Sequence, residues 1–144
     1  MYMTAGIKEA GLVTGGVRLG DKGYFVSPTI FYNPKGDATI YHEEIFGPVL
    51  TVKTFRTPES AIEMANDTET GLAASVYTRD MALAMRVAKK LEVGTVSINS
   101  SLGIDMYSPF GGKKGSGIGR EAGQYGLKDY LEAKTIKVKL TGFK

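Results

Sequence analysis

Apolar and polar positions change period several times along the chain, and each change marks an element. Tyr2 to Ala10 has helical composition and stops at Gly11. Leu12 to Thr14 reads as a short strand, and Gly15-Gly16 and Gly20-Asp21-Lys22-Gly23 form a loose turn region. Tyr24 to Phe31 is rich in β-formers. Pro28 has no amide hydrogen to donate, so this run is expected to be an edge strand or a broken one. Asn33-Pro34-Lys35-Gly36-Asp37 is a turn, and Val49 to Phe55 is the next strand. Thr57-Pro58 opens a helix, with Thr as cap and Pro at the first helical position; Ala61, Ile62 and Ala65 share its inner face. Gly71 breaks the chain before Leu72 to Tyr77, which reads as a buried strand. Asp80 to Leu91 is the clearest helix, because Ala84, Val87, Ala88 and Leu91 fall on one stripe. Met81 and Met85 on this helix are read as packing residues. Gly94 closes the unit, and Thr95 to Asn99 follows as a strand.

Strands that alternate with helices of this length point to βαβ units. The expected class is therefore α/β, with a mostly parallel, doubly wound sheet. The end of the chain has another rhythm. Ile136, Val138 and Leu140 alternate with Lys137 and Lys139, as in an edge strand guarded by charge or a strand that pairs with another chain. Internal repeats and low-complexity linkers are absent from the sequence.

Composition narrows the function classes. The chain has 144 residues, 42% hydrophobic and 23% charged, enough for one domain with a real core. The net charge of +3 comes from basic residues that are spread out, so nucleic-acid binding is not expected. With no cysteine, the chain offers no disulfide, no thiolate metal site and no thiol nucleophile. No apolar run is as long as a membrane span and the N-terminus lacks a signal-peptide pattern, so a cytoplasmic location is expected. On the same ground Asn66-Asp67-Thr68 and Asn99-Ser100-Ser101 are read as chance matches to the glycosylation pattern.

The most informative stretch is Glu43-Glu44-Ile45-Phe46-Gly47-Pro48-Val49. Gly47 permits backbone angles that a β-carbon resists, and Pro48 fixes its own φ and disfavours helix before it. A carboxylate and a ring at such a loop–strand junction suit a flat, polar ligand such as a nucleoside. The alternative is a solvated Glu pair with Phe46 filling the core, and spacing alone leaves both open. His42-Glu43 begins like a zinc-protease motif, but position 46 is Phe, so zinc is not expected. His42 is the only histidine and reads as an exposed or capping residue. Gly115-Ser116-Gly117-Ile118-Gly119-Arg120 departs from the dinucleotide fingerprint, since its third glycine comes one residue early and the preceding Pro109-Phe110-Gly111-Gly112 does not read as a strand. These glycines read as sites of tight backbone packing.

The Glu43–Val49 run resembles a signature of the aldehyde dehydrogenase superfamily. Further segments resemble that family in its order: Asn66 to Val76, Gly94 to Asn99, Ser108 to Glu121, and Glu132-Ala133-Lys134-Thr135-Ile136. The resemblance covers nearly the whole chain and only the C-terminal part of a family member. It implies a C-terminal portion of the catalytic domain over residues 1–129, and an oligomerisation strand and tail over 130–144.

The resemblance also implies roles. Glu44 would accept hydrogen bonds from the nicotinamide ribose hydroxyls, and Phe46 would pack beside the nicotinamide of NAD or NADP. Phe110 and Ile104 would line the aldehyde entrance, with core filling as the alternative for both. Arg120 and Glu132 would support the subunit interface, where an arginine can hold a carboxylate bidentately. In the family a cysteine thiolate attacks the aldehyde, hydride passes to the nicotinamide, and a water activated by a Glu hydrolyses the thioester. That cysteine and the dinucleotide domain lie upstream in the family, so this chain alone is expected to be inert, to bind cofactor weakly and to form a homo-oligomer. The rival expectation is a non-enzymatic module, truncated or pseudoenzymatic, that associates with itself or docks on a full-length paralogue.

Overall fold

The computed structural model describes residues 2–101, 103, 105–140 and 142. Helix α1 (Tyr2–Glu9) leads into β1 (Gly11–Thr14) and β2 (Thr29–Tyr32). Then come α2 (Thr39–His42), β3 (Val49–Val52), α3 (Pro58–Asn66), β4 (Thr70–Gly71), β5 (Ala73–Val76), α4 (Met81–Lys90), β6 (Thr95–Ile98) and β7 (Lys113–Lys114). A short helix α5 (Gly123–Gly126) runs directly into a 3-10 turn at Leu127–Tyr130. The chain forms two compact units, one of Met1–Glu69 with Met85–Leu91 and one of Thr70–Ala84 with Glu92–Lys144.

In the first unit β2 lies between β1, which is antiparallel to it, and β3, which is parallel. Of the two expectations for Tyr24 to Phe31, the broken strand holds and the edge strand does not, since β2 is central. The physical reason is that pairing starts after Pro28: the strand begins at Thr29, whose amide donates to Pro48 O at 2.9 Å. Upstream, Arg18 and Val26 form only an isolated bridge, so Tyr24 to Pro28 lies outside the sheet. Phe31 is fully buried and forms the core with Ala38 and Ile40, against Tyr2, Met3, Ala10, Tyr41, Ile45 and Val49. Gly6 makes this possible. A methyl there would lie 2.6 and 2.8 Å from the two Cε atoms of the Phe31 ring.

Helix α2, which the sequence pattern missed, is one turn long and has no side-chain cap of its own. The Glu9 carboxylate supplies one from α1, accepting from Thr39 N at 2.9 Å. Helix α3 starts as expected, with Thr57 accepting from Ser60 N at 3.2 Å and Pro58 at its first position. On its inner face Ala61 and Ile62 are half-buried. Ala65 is exposed, and Met64 takes the inner place instead.

In the second unit β5 and β6 pair in parallel, and the chain between them includes α4, most of which (from Met85) belongs to the first unit, so the order along the chain is βαβ. Leu72 separates β4 from β5 and is 41% exposed, and Ser75 is exposed, so the run expected to be buried is only half so. The stripe of α4 holds: Ala84 and Leu91 are buried, Val87 and Ala88 half-buried. Met81 and Met85 lie off that stripe, 57% and 45% exposed, and do not pack as expected. Strand β7 pairs antiparallel with β4, and Gly71 N donates to Ser116 Oγ at 2.9 Å.

Both parallel pairs end in the same way. Asn33, just after β2, has φ of 45° and accepts from Thr54 N at 2.9 Å, beyond β3. Asn99, just after β6, has φ of 54°; it accepts from Thr78 N and donates to Thr78 O, both at 2.9 Å, beyond β5. Asparagine tolerates this left-handed backbone better than most residues. Residues 131–140 are exposed and form no helix or strand within the chain. Ile136, Val138 and Leu140 face solvent as much as the lysines between them.

Candidate functional site

The loop Glu43–Pro48 joins α2 to β3, and its side chains divide into held and free. Glu43 accepts from the Tyr2 hydroxyl at 2.9 Å, which draws it back onto α1. This bond and the nearby carboxylate charge raise the Tyr2 phenol above its ordinary pKa of 10.0. Ile45 and Val49 pack on the core. Glu44 and Phe46 point outward: Phe46 is 92% exposed, which excludes the core-plug reading, and Glu44 is exposed with no hydrogen-bond partner among the described residues. Gly47 N donates to Ile45 O at 2.9 Å and Val49 N to Gly47 O at 2.8 Å, so two tight turns follow each other. Gly47 does this without a positive φ and with open space where a side chain would stand. Its expected conformational role is therefore not needed for the loop itself.

His42 is exposed, and its Nε2 lies 2.7 Å from Gly36 O, so it caps a turn as expected. No group of three or more His, Cys, Asp or Glu among the described residues could hold a metal ion.

The second unit carries the other candidate residues. Phe110 is half-buried and exchanges backbone hydrogen bonds with Glu121 at 2.8 and 2.7 Å. Of the glycines expected to pack tightly, Gly117 would place a Cβ no nearer than 4.0 Å to Gly112 N, and Gly119 would place one 3.0 Å from the Asp129 carboxylate; the close approaches belong to other glycines nearby. Gly111 abuts Gly119 O, Gly112 abuts Ser116, and Gly94 abuts Gly111 O, each where a Cβ would collide. Arg120 is half-buried and donates through one guanidinium nitrogen to Gly112 O and Gly119 O, both at 2.7 Å. It lines an open groove with Pro109, Ile118, Tyr125, Lys128 and Asp129. Glu132 is exposed on the segment after the 3-10 turn. Ile104 lies outside the described residues.

The profile of the aldehyde dehydrogenase family matches residues 1–136. The chain belongs to the aldehyde dehydrogenase family. It is 46% identical over 140 residues to an aldehyde dehydrogenase of Alternaria alternata, covering 96% of this chain and 28% of that protein. It is also 46% identical over 137 residues to human retinal dehydrogenase 2, covering 94% of this chain and 26% of the relative. Among solved structures, the NAD+ complex of an aldehyde dehydrogenase from Bacillus cereus aligns with a TM-score of 0.88 and 45% identity, over 97% of this chain and 29% of that one. The chain thus spans little more than a quarter of the length of the relatives it matches. The expected α/β class with parallel pairing is also the observed one.

Within this aldehyde dehydrogenase segment the structure brings Glu44 and Phe46 together on one loop, and Phe110, Arg120 and the glycine cluster on another. Three supports went unseen in the sequence. The Tyr2–Glu43 bond joins residues far apart in the chain. The Lys114–Glu92 ion pair, 2.9 Å, ties β7 to the turn after α4. The Asp105 carboxylate accepts from Tyr107 N at 3.0 Å and from Ser108 Oγ at 2.8 Å. Only the last had a local signal, an Asp three residues ahead of a Ser.

Proposed function

We propose that these residues form one wall of the cofactor site and part of the aldehyde entrance of an NAD(P)-dependent enzyme that oxidises aldehydes to carboxylic acids. One observation carries the reading. In the loop Glu43–Pro48 every side chain with a partner is turned back onto the body, and the carboxylate of Glu44 and the ring of Phe46 are left free to meet a ligand. A carboxylate accepts from both hydroxyls of a ribose, and an open ring face suits a flat heterocycle. The residues present therefore fit the nicotinamide riboside half of NAD(P), which would supply the hydride acceptor. Phosphate binding is a different matter, because the glycine spacing of Gly115 to Arg120 departs from the dinucleotide fingerprint. That half of the cofactor would need other protein.

The thiol nucleophile would also come from elsewhere, since the 144 residues contain no cysteine. Phe110 and Ile104 would flank the aldehyde, and Arg120 and Glu132 would support contacts between subunits. The 144-residue chain alone is expected to give no turnover with NAD or NADP and a simple aldehyde; steady turnover by pure material would overturn this. In a full-length enzyme carrying these residues, Glu44→Gln should slow single-turnover hydride transfer more than it weakens cofactor binding, because an amide accepts less strongly from the two hydroxyls. Unchanged single-turnover kinetics would remove Glu44 from this role.

A second reading is favoured by the exposed Ile136, Val138 and Leu140. They suit a module that associates with itself, or docks on a full-length paralogue, without catalysis of its own.

A further inference from the structure

One carboxylate supplies both side-chain bonds of the turn just before Phe110. Asp105 Oδ1 accepts from Tyr107 N at 3.0 Å and Oδ2 from Ser108 Oγ at 2.8 Å, and the Asp105 carbonyl accepts from Ser108 N at 3.3 Å. These bonds close the turn from both of its sides. Next to it the chain is fixed to a second strand of backbone: Gly123 N donates to Met106 O at 3.0 Å, and Phe110 and Glu121 exchange their amides and carbonyls. The fit is close. Gly123 has φ of 55°, and a side chain there would stand 2.8 Å from Tyr107 O and 3.2 Å from Pro109 N. Residues 105–110 thus run pinned along 121–123, and the Asp105 carboxylate sets the curvature with which the chain arrives at Pro109 and Phe110. Met106 and Tyr107 contribute nothing to this fixing from their side chains, which are 78% and 86% exposed.

We infer that Asp105 is a positioning residue for aldehyde recognition, acting through the Tyr107–Ser108 turn on the placement of Phe110. The inference rests on the reading of Phe110 as a wall of the aldehyde entrance. Asp105 itself is exposed and need not touch the substrate. Its two acceptor oxygens each serve a different donor, so the variants separate by chemistry. Asp105→Ala loses both bonds. Asp105→Asn keeps an acceptor for Tyr107 N, and its amide can donate to Ser108 Oγ, so it should rescue most of the turn. Ser108→Ala loses one bond and is the mildest probe.

The test has two arms. In the 144-residue chain, hydrogen exchange at the Tyr107 amide should speed up about tenfold in Asp105→Ala, less in Ser108→Ala and little in Asp105→Asn, as expected for loss of a hydrogen bond to a charged group. In a full-length enzyme carrying these residues, the same series should raise KM for a bulky aldehyde by about three- to tenfold, leave KM for a small aldehyde and for cofactor unchanged, and change kcat little. Faster exchange with unchanged KM for every aldehyde would overturn the positioning role, provided that Phe110→Ala raises KM. If Phe110→Ala also leaves KM unchanged, the reading of Phe110 fails and the inference falls with it, whereas the exchange result still reports on the turn. Unchanged exchange in Asp105→Ala would overturn the turn itself.

Discussion

The hydroxyl of Tyr2 donates to Oε2 of Glu43 at 2.9 Å, and so the first helix of the chain holds the loop that presents Glu44 and Phe46. The bond keeps the phenol protonated, because ionising it would place two negative oxygens together. Its pKa is raised in the folded chain above the ordinary 10.0, so its contribution to stability is fully present below pH 10 and is lost as pH rises through the folded value. Burial and the charges of Asp67 and Glu63 raise Tyr41 as well, so ultraviolet titration should show two tyrosines ionising late in the wild type and one in Tyr2→Phe. A superimposable pair of titration curves, after scaling for one fewer tyrosine, would contradict the bond.

Gly6 and Phe31 make the opposite kind of contact, one in which an absent atom is essential. Gly6→Ala should gain up to about 1 kcal/mol in helix propensity but lose about 1–3 kcal/mol through overpacking against a fully buried ring. The expected net result is a lower urea midpoint. Gly47→Ala is the control. Its position has open space and no positive φ, so stability should stay within about 0.5 kcal/mol of wild type.

The Glu92–Lys114 pair gives the second unit an acid-sensitive contact. The hydrogen bond and charge of Lys114 lower the Glu92 pKa below its ordinary 4.5. The contribution is therefore present above about pH 4.5 and disappears as pH falls through the lowered value. Urea midpoints of wild type and Glu92→Gln should differ at pH 7 and converge in acid. Lys114 has φ of 51°, so loosening should also appear as faster exchange of the β7 amides.

The exposed tail predicts association. Ile136, Val138 and Leu140 are 79%, 75% and 73% exposed, and no element among the described residues covers them. A two-fold dimer that pairs this segment with a second copy would bury them, and Lys137 and Lys139 would discourage open-ended stacking. Sedimentation should show a dimer for the whole chain and a monomer once residues 131–144 are removed. A whole chain that stays monomeric at high concentration would exclude the idea.

Elements with local causes were legible in the sequence. Helix α3 announces itself through Thr57-Pro58, and α4 through the spacing of Ala84, Val87, Ala88 and Leu91. Helix α2 was illegible because its cap comes from Glu9, thirty positions earlier. Pro28 shows in the sequence that the strand is broken there, but not that β2 is central, because a proline says nothing of what lies on either side of the strand that follows. The site divides in the same way. Glu44 and Phe46 stood out as a motif, but that they are free while Glu43 is held depends on Tyr2, and no window along the sequence contains both.

Asn33 and Asn99 bear on how such short strands keep their alignment. Each parallel pair spans only a few residues, and a short ladder by itself tolerates slippage. In both pairs an asparagine just past one strand reaches across to a threonine just past the other, Thr54 in one case and Thr78 in the other. Sliding either strand by one residue would break that cross-link and turn every side chain of the strand to the wrong face. The asparagines therefore act as end stops: they fix the frame in which each pair closes, and with it the point at which the chain leaves the sheet.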